Sequence, residues 1–374
     1  MLQRIRKIVI ILGLILGSFL LFMMGSITFF MLGRVHDLAL QRKHLIHLRE
    51  FYQSEEFVAV DETSFVSFDR NDSTIRFNEI QMLATHNSYK KMGSGLGKFF
   101  IGLGDSFEEA NALRYSYDTL TSQLNVGIRS FELDIRYRDN QFEVVHVPLV
   151  DNRSTATNLA LALEEIDLWS RNHPNHVPII LLFELKNDWL ILDPELTVFN
   201  PSNLADLDSL LSSSFGSKLY SPKHLIGTYD TLKDAVVNQG WPLLKNMLGK
   251  VVIVLHPGEF TDMYVEMNPE FTSMIMFPAA SNTEIDNTYA SFIVHNDPNV
   301  EVIQSLVDQN FIVRTGIDSR LSYSETQYEN AVASGAQLLT TDFPPNHQFK
   351  DSVYVPYLNE QFTVIINRYL KNEE

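Results

Sequence analysis

The chain has 374 residues, of which 45% are hydrophobic, and its 46 acidic and 29 basic residues give a formal net charge of −17. This length fits one large domain or two ordinary ones. The acidic balance argues against a nucleic-acid-binding protein, which needs a basic surface to neutralise phosphates. The chain contains no cysteine, which excludes disulfide frameworks, thiolate zinc sites and cysteine nucleophiles.

An uncharged apolar run at residues 8–32 predicts a transmembrane helix. The run is long enough to cross a bilayer, and it lacks the shorter apolar core and clear cleavage site of a signal peptide. Basic residues flank both ends, so the charge bias does not decide its orientation. We expect residues 1–33 to form a transmembrane anchor, residues 34–70 a juxtamembrane segment with a helix, and residues 71–374 a folded domain.

From residue 80 onward, short apolar runs alternate with helical patterns, which is typical of a parallel sheet covered by helices. The predicted strands are residues 80–85, 130–135, 177–184, 251–255, 273–277, 292–295, 311–315 and 337–341, with 142–146 as a short extra strand. Eight parallel strands favour an α/β fold, a TIM-type (β/α)8 barrel. In such barrels the catalytic groups lie at the C-terminal ends of the strands.

Helical patterns occupy several of the intervals between these strands. They lie at residues 156–170, 299–309 and 324–334, and residues 357–370 are predicted to form a closing helix. The apolar residues Phe99, Phe100, Ile101 and Leu103 fit either a membrane-facing rim or a cap over the barrel core, and we expect the cap.

The candidate site centres on Glu132 and Asp134. Because side chains alternate along a strand, these two acids share one face with Arg136, while Leu133 and Ile135 take the other face. Two carboxylates this close repel each other unless a cation lies between them or one of them binds a proton. The alternative is an internal ion-pair ladder with Arg136, which is common on strand faces.

Oxygen donors follow other predicted strands as well. The set comprises Asn87, Glu132, Asp134 and Glu184. Hard oxygen donors with up to three negative charges suit calcium, with magnesium second. Zinc would instead be expected to recruit His86 or His146.

We interpret His86 and His146 as an acid/base pair, since an unperturbed imidazole titrates near neutral pH. Such a pair can cleave a phosphodiester by taking a proton from the attacking oxygen and protonating the leaving one. Lys186 and Arg314 are candidate partners of the phosphate. For His86-Asn87 the alternative is a loop turn with a capped backbone. We interpret the other histidines as surface or structural residues, although His256 and His295 end apolar strands and can line the pocket.

An ordered series of motifs resembles the calcium-dependent phosphoinositide-specific phospholipases C of the bacterial type, within the phospholipase C-like phosphodiesterase superfamily. The series covers about residues 80–345. The motifs are LATHNSYK, LRYSYDTLTSQLNVGIRSFELDIRY, VVHVP, LLFELK, TLKDAVVNQGWPLLKNMLGKVVIVL, IVRTGIDS and ASGAQLLTTDFP.

The resemblance implies that a substrate hydroxyl attacks the neighbouring phosphate and expels diacylglycerol. It makes His86 and His146 the acid/base pair. Its implied calcium ligands are Asn87, Glu132, Asp134 and Glu184. The chain departs from the family pattern at Gly316-Ile317-Asp318, where the family often carries an arginine, so we expect one basic group fewer in the pocket.

The sequence therefore favours a membrane-tethered, calcium-dependent phosphodiesterase acting on a phospholipid, with phosphatidylinositol as the first substrate. We expect its catalytic domain to be extracytoplasmic, where calcium is abundant, and we predict no protein partner. One alternative is a glycerophosphodiesterase or sphingomyelinase D-like barrel, which would normally carry His-Arg-Gly where this chain has His86-Asn87-Ser88. Another is a non-catalytic barrel that binds lipid or protein, against which the complete set of site residues argues.

Overall fold

The structure is a computed structural model that describes residues 2–343 and 356–371. In these residues, eight parallel strands close into a barrel that is surrounded by helices, which confirms the predicted TIM-type (β/α)8 fold. The strands are β1 (Ile80–Thr85), β2 (Ser130–Arg138), β3 (Gln141–Val144), β4 (Ile179–Leu185), β5 (Leu196–Thr197), β6 (Val251–Leu255), β7 (Phe277–Ser281), β8 (Phe292–Val294), β9 (Ile312–Gly316), β10 (Leu338–Thr341) and β11 (Val364–Ile366).

The barrel runs in the order β1-β2-β4-β6-β7-β8-β9-β10, and β10 pairs with β1 to close it. The remaining strands are antiparallel additions, with β3 and β5 on β2 and β11 on β1. The apolar residues Phe131, Leu133 and Ile135 of β2 are buried in the main core. This leaves the alternate residues of the strand for the site.

The helices are α1 (Leu2–Phe51), α2 (Gly95–Gly104), α3 (Phe107–Ala112), α4 (Leu120–Leu124), α5 (Leu159–Asn172), α6 (Pro201–Phe215), α7 (Pro222–Leu225), α8 (Leu232–Gln239), α9 (Glu259–Met267), α10 (Val300–Val307), α11 (Glu325–Ala333) and α12 (Arg368–Lys371). Single 3-10 turns lie at Glu62–Ser64, Phe77–Glu79, Leu190–Leu192, Gly216–Lys218 and Leu244–Asn246. The helical patterns predicted at residues 156–170, 299–309 and 324–334 correspond to α5, α10 and α11.

Two predicted elements are wrong. The strand predicted at 273–277 begins four residues later, as β7 (Phe277–Ser281). Met274 and Met276 are buried in the core, but they lie in the loop before the strand. The closing helix predicted at 357–370 is instead β11 followed by the single turn α12. The run of β-branched residues Val364, Ile365 and Ile366 favours a strand. It pairs with the first half of β1, next to the part of β1 that pairs with β2.

Helix α1 is unbroken from Leu2 to Phe51 and has two different surroundings. Among the described helices, α1 is the candidate to cross a membrane by its length and composition, although a signal sequence has the same properties. Its most apolar stretch is not buried against the rest of the protein. Its C-terminal part packs on α5 of the barrel, with Leu45 and Leu48 buried. The helix therefore continues from the apolar segment directly onto the folded domain.

Candidate active site

Three carboxylates lie together near the C-terminal ends of adjacent strands. Asp134 on β2 and Glu184 on β4 are direct partners in the parallel register, and Glu132 lies two residues before Asp134 on the same face. One carboxylate oxygen from each of the three residues lies within 4.8 Å of the others. The structure thus brings together the three acids that the sequence singled out.

This cluster fits a metal ion. Both carboxylate oxygens of Asp134 are buried and have no hydrogen-bond partner among the described residues. Burial raises the pKa of Asp134 above its ordinary value, and the nearby Lys186 opposes that shift. A buried carboxylate without donors, facing two other carboxylates, is the environment that a cation stabilises. Because all these donors are oxygens, the cluster suits Ca2+.

Two basic side chains already neutralise part of the cluster. Lys186 Nζ lies 2.6 Å from Glu184 Oε1 and 3.6 Å from Asp134 Oδ2. Arg314 Nη2 donates to Glu132 Oε2 at 2.5 Å. Burial favours the neutral form of Glu132, but Arg314 and then His86 outweigh it and lower its pKa to about 2. The two residues predicted to contact phosphate therefore lie in the site, each paired with a carboxylate.

A tight turn carries Asn87 into the site. Asn87 is buried and has a positive φ of 48°, which asparagine tolerates better than most residues. The next residue fixes the turn to β2, because the Ser88 N–H donates to the Glu132 carbonyl at 3.0 Å and Ser88 Oγ accepts from the Glu132 N–H at 2.9 Å. Tyr89 donates its hydroxyl to Asn87 Oδ1 at 3.3 Å. Asn87 is thus held beside the acidic cluster.

His86 lies between two carboxylates. Its Nε2 is 3.7 Å from Glu132 Oε1, and its Nδ1 is 3.0 Å from Asp342 Oδ1. Burial opposes protonation, but Glu132 and Asp342 outweigh it and raise the pKa of His86 to about 9. Asp342 directly follows β10, and its N–H donates to Asp318 Oδ1 at 2.7 Å. Sequence reasoning missed Asp342, whose signal was a polar residue at the end of an apolar strand.

His146 follows β3 and has its own carboxylate. Its Nδ1 lies 3.4 Å from Asp151 Oδ2, while Asp151 Oδ1 accepts from Lys90 Nζ at 2.6 Å. Lys90 and Asp151 are both buried. Burial favours the neutral form of Asp151, but Lys90 outweighs it and keeps its pKa below the ordinary value. Asp151 and Lys90 were also missed by sequence reasoning.

Arg136 organises two loops of the site. It donates to the carbonyl oxygen of His146 at 2.7 Å and to the carbonyl oxygen and Oδ1 of Asp188, both at 2.6 Å. Among the described residues its ion pair is with Asp188 and not with Glu132 or Asp134. The alternative of an internal ion-pair ladder with Arg136 is therefore wrong, since Arg136 fixes the loops after β3 and β4. The carboxylates pair with Lys186 and Arg314 instead.

The remaining predictions concern residues around this cluster. His256 lines a cavity of about 430 Å³ together with Glu184, Lys186 and Asp188, so it does face the site. In the Gly316-Ile317-Asp318 segment, Asp318 supports Asp342, and burial raises the pKa of Asp318 to about 7.

The prediction that the apolar segment at residues 99–103 caps the barrel core is wrong. Phe99 and Leu103 are exposed, at 47% and 64%. Ile101 packs with Ala110 and Leu113 in a small cluster that is separate from the main core. Helix α2 therefore presents apolar side chains outward at the catalytic end of the barrel.

A carboxylate cluster suited to a metal, flanked by two histidines that each lie beside a carboxylate, is an arrangement able to cleave a phosphodiester. The family comparison supports the same class, that of phosphoric diester hydrolases. The family model "Phosphoinositide phospholipase C, Ca2+-dependent" matches residues 75–141 and 136–367. The chain belongs to this calcium-dependent family, which confirms the resemblance seen in the sequence.

Solved structures show the same fold. A calcium-dependent phosphoinositol-specific phospholipase C from Pseudomonas sp. matches with a TM-score of 0.57 at 18% identity over 81% of this chain and 99% of that chain. Its myo-inositol complex matches with a TM-score of 0.56 at 20% identity over 82% and 97% of the two chains. A Ca2+-dependent phosphatidylinositol-specific phospholipase C from Streptomyces antibioticus gives 0.55 at 17% identity over 79% and 99%. A comparison with curated proteins found no significant match.

Proposed function

We propose that this protein is a membrane-tethered, calcium-dependent phospholipase C and that its substrate is phosphatidylinositol. The observation that carries the proposal is the cluster of Glu132, Asp134 and Glu184, with His86 next to it, at the catalytic end of a barrel of this family.

In this proposal Asn87, Glu132, Asp134 and Glu184 hold the Ca2+ ion, with Mg2+ as the second choice. When bound, Ca2+ supplies a positive charge that polarises a phosphoryl oxygen and lowers the pKa of the attacking hydroxyl. The unpartnered oxygens of Asp134 support this assignment.

His86 takes the proton of the attacking hydroxyl, and His146 protonates the oxygen of the departing glyceride. Asp342 lies at Nδ1 of His86, which leaves Nε2 directed towards the carboxylate cluster. A histidine with a pKa near 9 is largely protonated at neutral pH and is a poor base. A cation held by Glu132 would offset the charge that raises the pKa of His86, which shifts the imidazole towards its neutral, basic form. Asp151 Oδ2 lies 3.4 Å from His146 Nδ1, close enough to stabilise the protonated ring electrostatically.

Lys186 and Arg314 bind the phosphate oxygens. Both are paired with carboxylates of the cluster, Lys186 with Glu184 and Arg314 with Glu132. A cation bound to the same carboxylates competes for these pairs and makes the two side chains available to an anionic substrate. Neither residue is fully exposed, which strengthens their electrostatic effect on a bound phosphate.

Residues 1–33 form the membrane anchor, residues 34–70 the juxtamembrane segment and residues 71–374 the catalytic barrel. The apolar run of α1 supports the anchor, since none of its residues from Ile8 to Gly25 is buried. We place the barrel on the extracytoplasmic side, where calcium is abundant enough to fill a site of this kind.

The substrate is tested with the full-length chain reconstituted in vesicles and supplied with calcium. The panel is phosphatidylinositol, phosphatidylcholine, sphingomyelin and soluble glycerophosphoinositol. We expect diacylglycerol from phosphatidylinositol. Release of ceramide 1-phosphate would instead identify sphingomyelin as the substrate, and release of glycerol phosphate would identify the soluble glycerophosphodiester. Binding of lipid without turnover under calcium-replete conditions would indicate a non-catalytic barrel.

A further inference from the structure

Helix α1 forms one wall of an apolar cavity that reaches a candidate catalytic residue. The cavity measures about 370 Å³. From α1 it is lined by Met23, Ser26, Ile27 and Phe30, all within the apolar run. Opposite them lie His146 and Leu149 from the loop after β3. The acidic residues Asp105, Glu109 and Asp188 also belong to the lining, which is otherwise largely apolar. One cavity thus joins the predicted membrane span to the catalytic face of the barrel.

The position of α1 against the barrel is fixed by buried polar contacts. Asp37 accepts from Lys91 Nζ at 2.6 Å and from Arg153 Nε at 2.5 Å. Gln41 exchanges two hydrogen bonds with the backbone of Asn158, the N-cap of α5, at 3.0 and 2.9 Å. These contacts neutralise a carboxylate that is almost fully buried, so undocking the helix would expose several charged groups at once. Helix α1 is therefore firmly docked on the barrel, and the wall that it forms belongs to the folded domain.

Further contacts lie inside the apolar run itself. Phe30 is 4% exposed, its carbonyl oxygen accepts from Asn152 Nδ2 at 3.1 Å, and its ring lies 6.2 Å from that of Phe100 on α2. Phe100 also lies 6.3 Å from Phe22. Ser26 directs its hydroxyl to the carbonyl oxygen of Phe22, so the polar group on this wall is already paired within the helix. The side of the cavity formed by α1 and Phe100 therefore suits an apolar occupant.

The dimensions of α1 bring this cavity to the membrane surface. At about 1.5 Å per residue, residues 8–32 span roughly 37 Å. This exceeds the hydrocarbon core of a bilayer, which is about 30 Å thick. The last turns of the run, which dock on the barrel, therefore lie at the boundary of the hydrocarbon.

Exposed apolar side chains lie close in the chain to the cavity-lining residues Phe100, Gly104 and Leu192. They come from α2, α3 and the loop after β4, and they are Phe99, Leu103, Phe107, Trp189 and Ile191. Ile191 is 92% exposed, and Trp189 also lines the cavity. A cluster of this kind next to a membrane-spanning helix is typical of a surface that enters the bilayer interface.

We propose that this cavity receives the acyl chains of the substrate phospholipid, which enters sideways from the bilayer along α1 and places its phosphodiester beside His146. The anchor is then a wall of the substrate site as well as a tether. This inference rests on the proposed function for the identity of the substrate. The occupant is an apolar chain and not a soluble head group because the walls from α1 and α2 are apolar and meet the membrane span.

The first test does not depend on turnover. The full-length chain is reconstituted in vesicles that contain a phosphatidylinositol with a photoactivatable acyl chain, and the crosslinked residues are mapped by mass spectrometry. We expect crosslinks at Leu113 and Leu149, which lie on the barrel side of the cavity, and competition by diacylglycerol. Crosslinks confined to outward residues such as Leu16 would overturn the proposal. Because binding is read directly, this result stands even if no lipid is cleaved.

The second test fills the cavity. Ile27→Trp places a larger side chain on its wall, and Leu16→Trp makes the same kind of change on the outward face of the helix. For Ile27→Trp, the ratio of kcat/KM on long-chain phosphatidylinositol in vesicles to kcat/KM on a dispersed short-chain analogue is expected to fall about tenfold, the effect of losing contact with a few methylene groups. Leu16→Trp leaves the ratio unchanged. An unchanged ratio in Ile27→Trp, or an equal fall in both variants, would contradict the proposal.

Discussion

Asp134 on β2 and Glu184 on β4 are direct partners across two neighbouring parallel strands, and their carboxylates lie in one cluster with Glu132. This register brings negative charges together inside the barrel. Such an arrangement is costly unless cations offset it. Lys186 pairs with Glu184, but both oxygens of Asp134 still lack a hydrogen-bond donor among the described residues. The three carboxylates therefore form a site suited to an additional cation.

Removing one charge from the cluster should abolish activity. Glu132→Gln and Asp134→Asn keep the shape of the side chain but remove a charged ligand, so the affinity for calcium falls. The measurement is turnover of phosphatidylinositol over a calcium titration. Asp286→Asn, which neutralises an exposed carboxylate paired with Lys233, serves as the control and should behave like the unmodified chain. An unchanged calcium dependence in both cluster variants would refute the assignment of the ligands.

Each candidate acid/base histidine should contribute strongly to the rate. His86→Ala and His146→Ala are each expected to lower kcat by roughly two to four orders of magnitude, the usual effect of losing one acid/base group. His47→Ala, an exposed histidine on α1, is the control. Turnover near that of the unmodified chain in either variant would remove that histidine from the mechanism.

The charge of Asp342 should control the protonation of His86. Burial works against protonation, yet Glu132 and Asp342 raise the pKa of His86 to about 9. Asp342→Asn removes one of the two charges that favour the imidazolium, so the pKa of His86 falls and the proton is lost at lower pH. The check is an NMR titration of labelled histidine in calcium-free protein between pH 5 and 10. If the titration midpoint of His86 is the same in Asp342→Asn and in the unmodified chain, Asp342 does not control the protonation of His86.

His176 should make the fold less stable in acid. Its ring is buried between Ser170 Oγ at 2.8 Å and the Val177 carbonyl oxygen at 2.7 Å, and burial lowers its pKa to about 4. The unfolded chain has a histidine pKa near 6.5. Between about pH 6.5 and 4, the unfolded state binds a proton that the folded state does not, so the free energy of unfolding falls as the pH falls.

His176→Gln removes that proton, so the slope of unfolding free energy against pH in this window should become shallower by up to about 1.4 kcal/mol per pH unit. Denaturant unfolding of the detergent-solubilised chain at several pH values measures the slope, with His47→Gln as the control. Identical slopes in His176→Gln and the control would contradict the prediction.

The carboxylate cluster could be predicted from the sequence because strand periodicity and strand ends are local properties. Glu132 and Asp134 alternate with buried apolar residues, which identifies both the strand and the inward face. The carboxylates beside the histidines could not be found in this way. Asp342 reaches His86 only because β10 closes the barrel on β1, and Asp151 reaches His146 through the fold of the loop after β3.

The errors in predicting the fold from the sequence have similar causes. The C-terminal segment contains apolar residues at spacings that fit a helix, but Val364 and its neighbours pair with a free stretch of β1. That opportunity exists only in the assembled barrel. The docking of α1 was equally hidden, since Asp37 and Gln41 look like ordinary polar residues of a juxtamembrane helix until their partners on the barrel are known.

The decisive measurement is release of diacylglycerol from phosphatidylinositol vesicles by the full-length chain, with calcium, magnesium or a chelator. We predict cleavage with calcium, loss of activity in the chelator, recovery when calcium is restored, weaker activity with magnesium and none in Asp134→Asn. Cleavage that proceeds equally in the chelator, or no diacylglycerol under any of these conditions, would contradict this prediction.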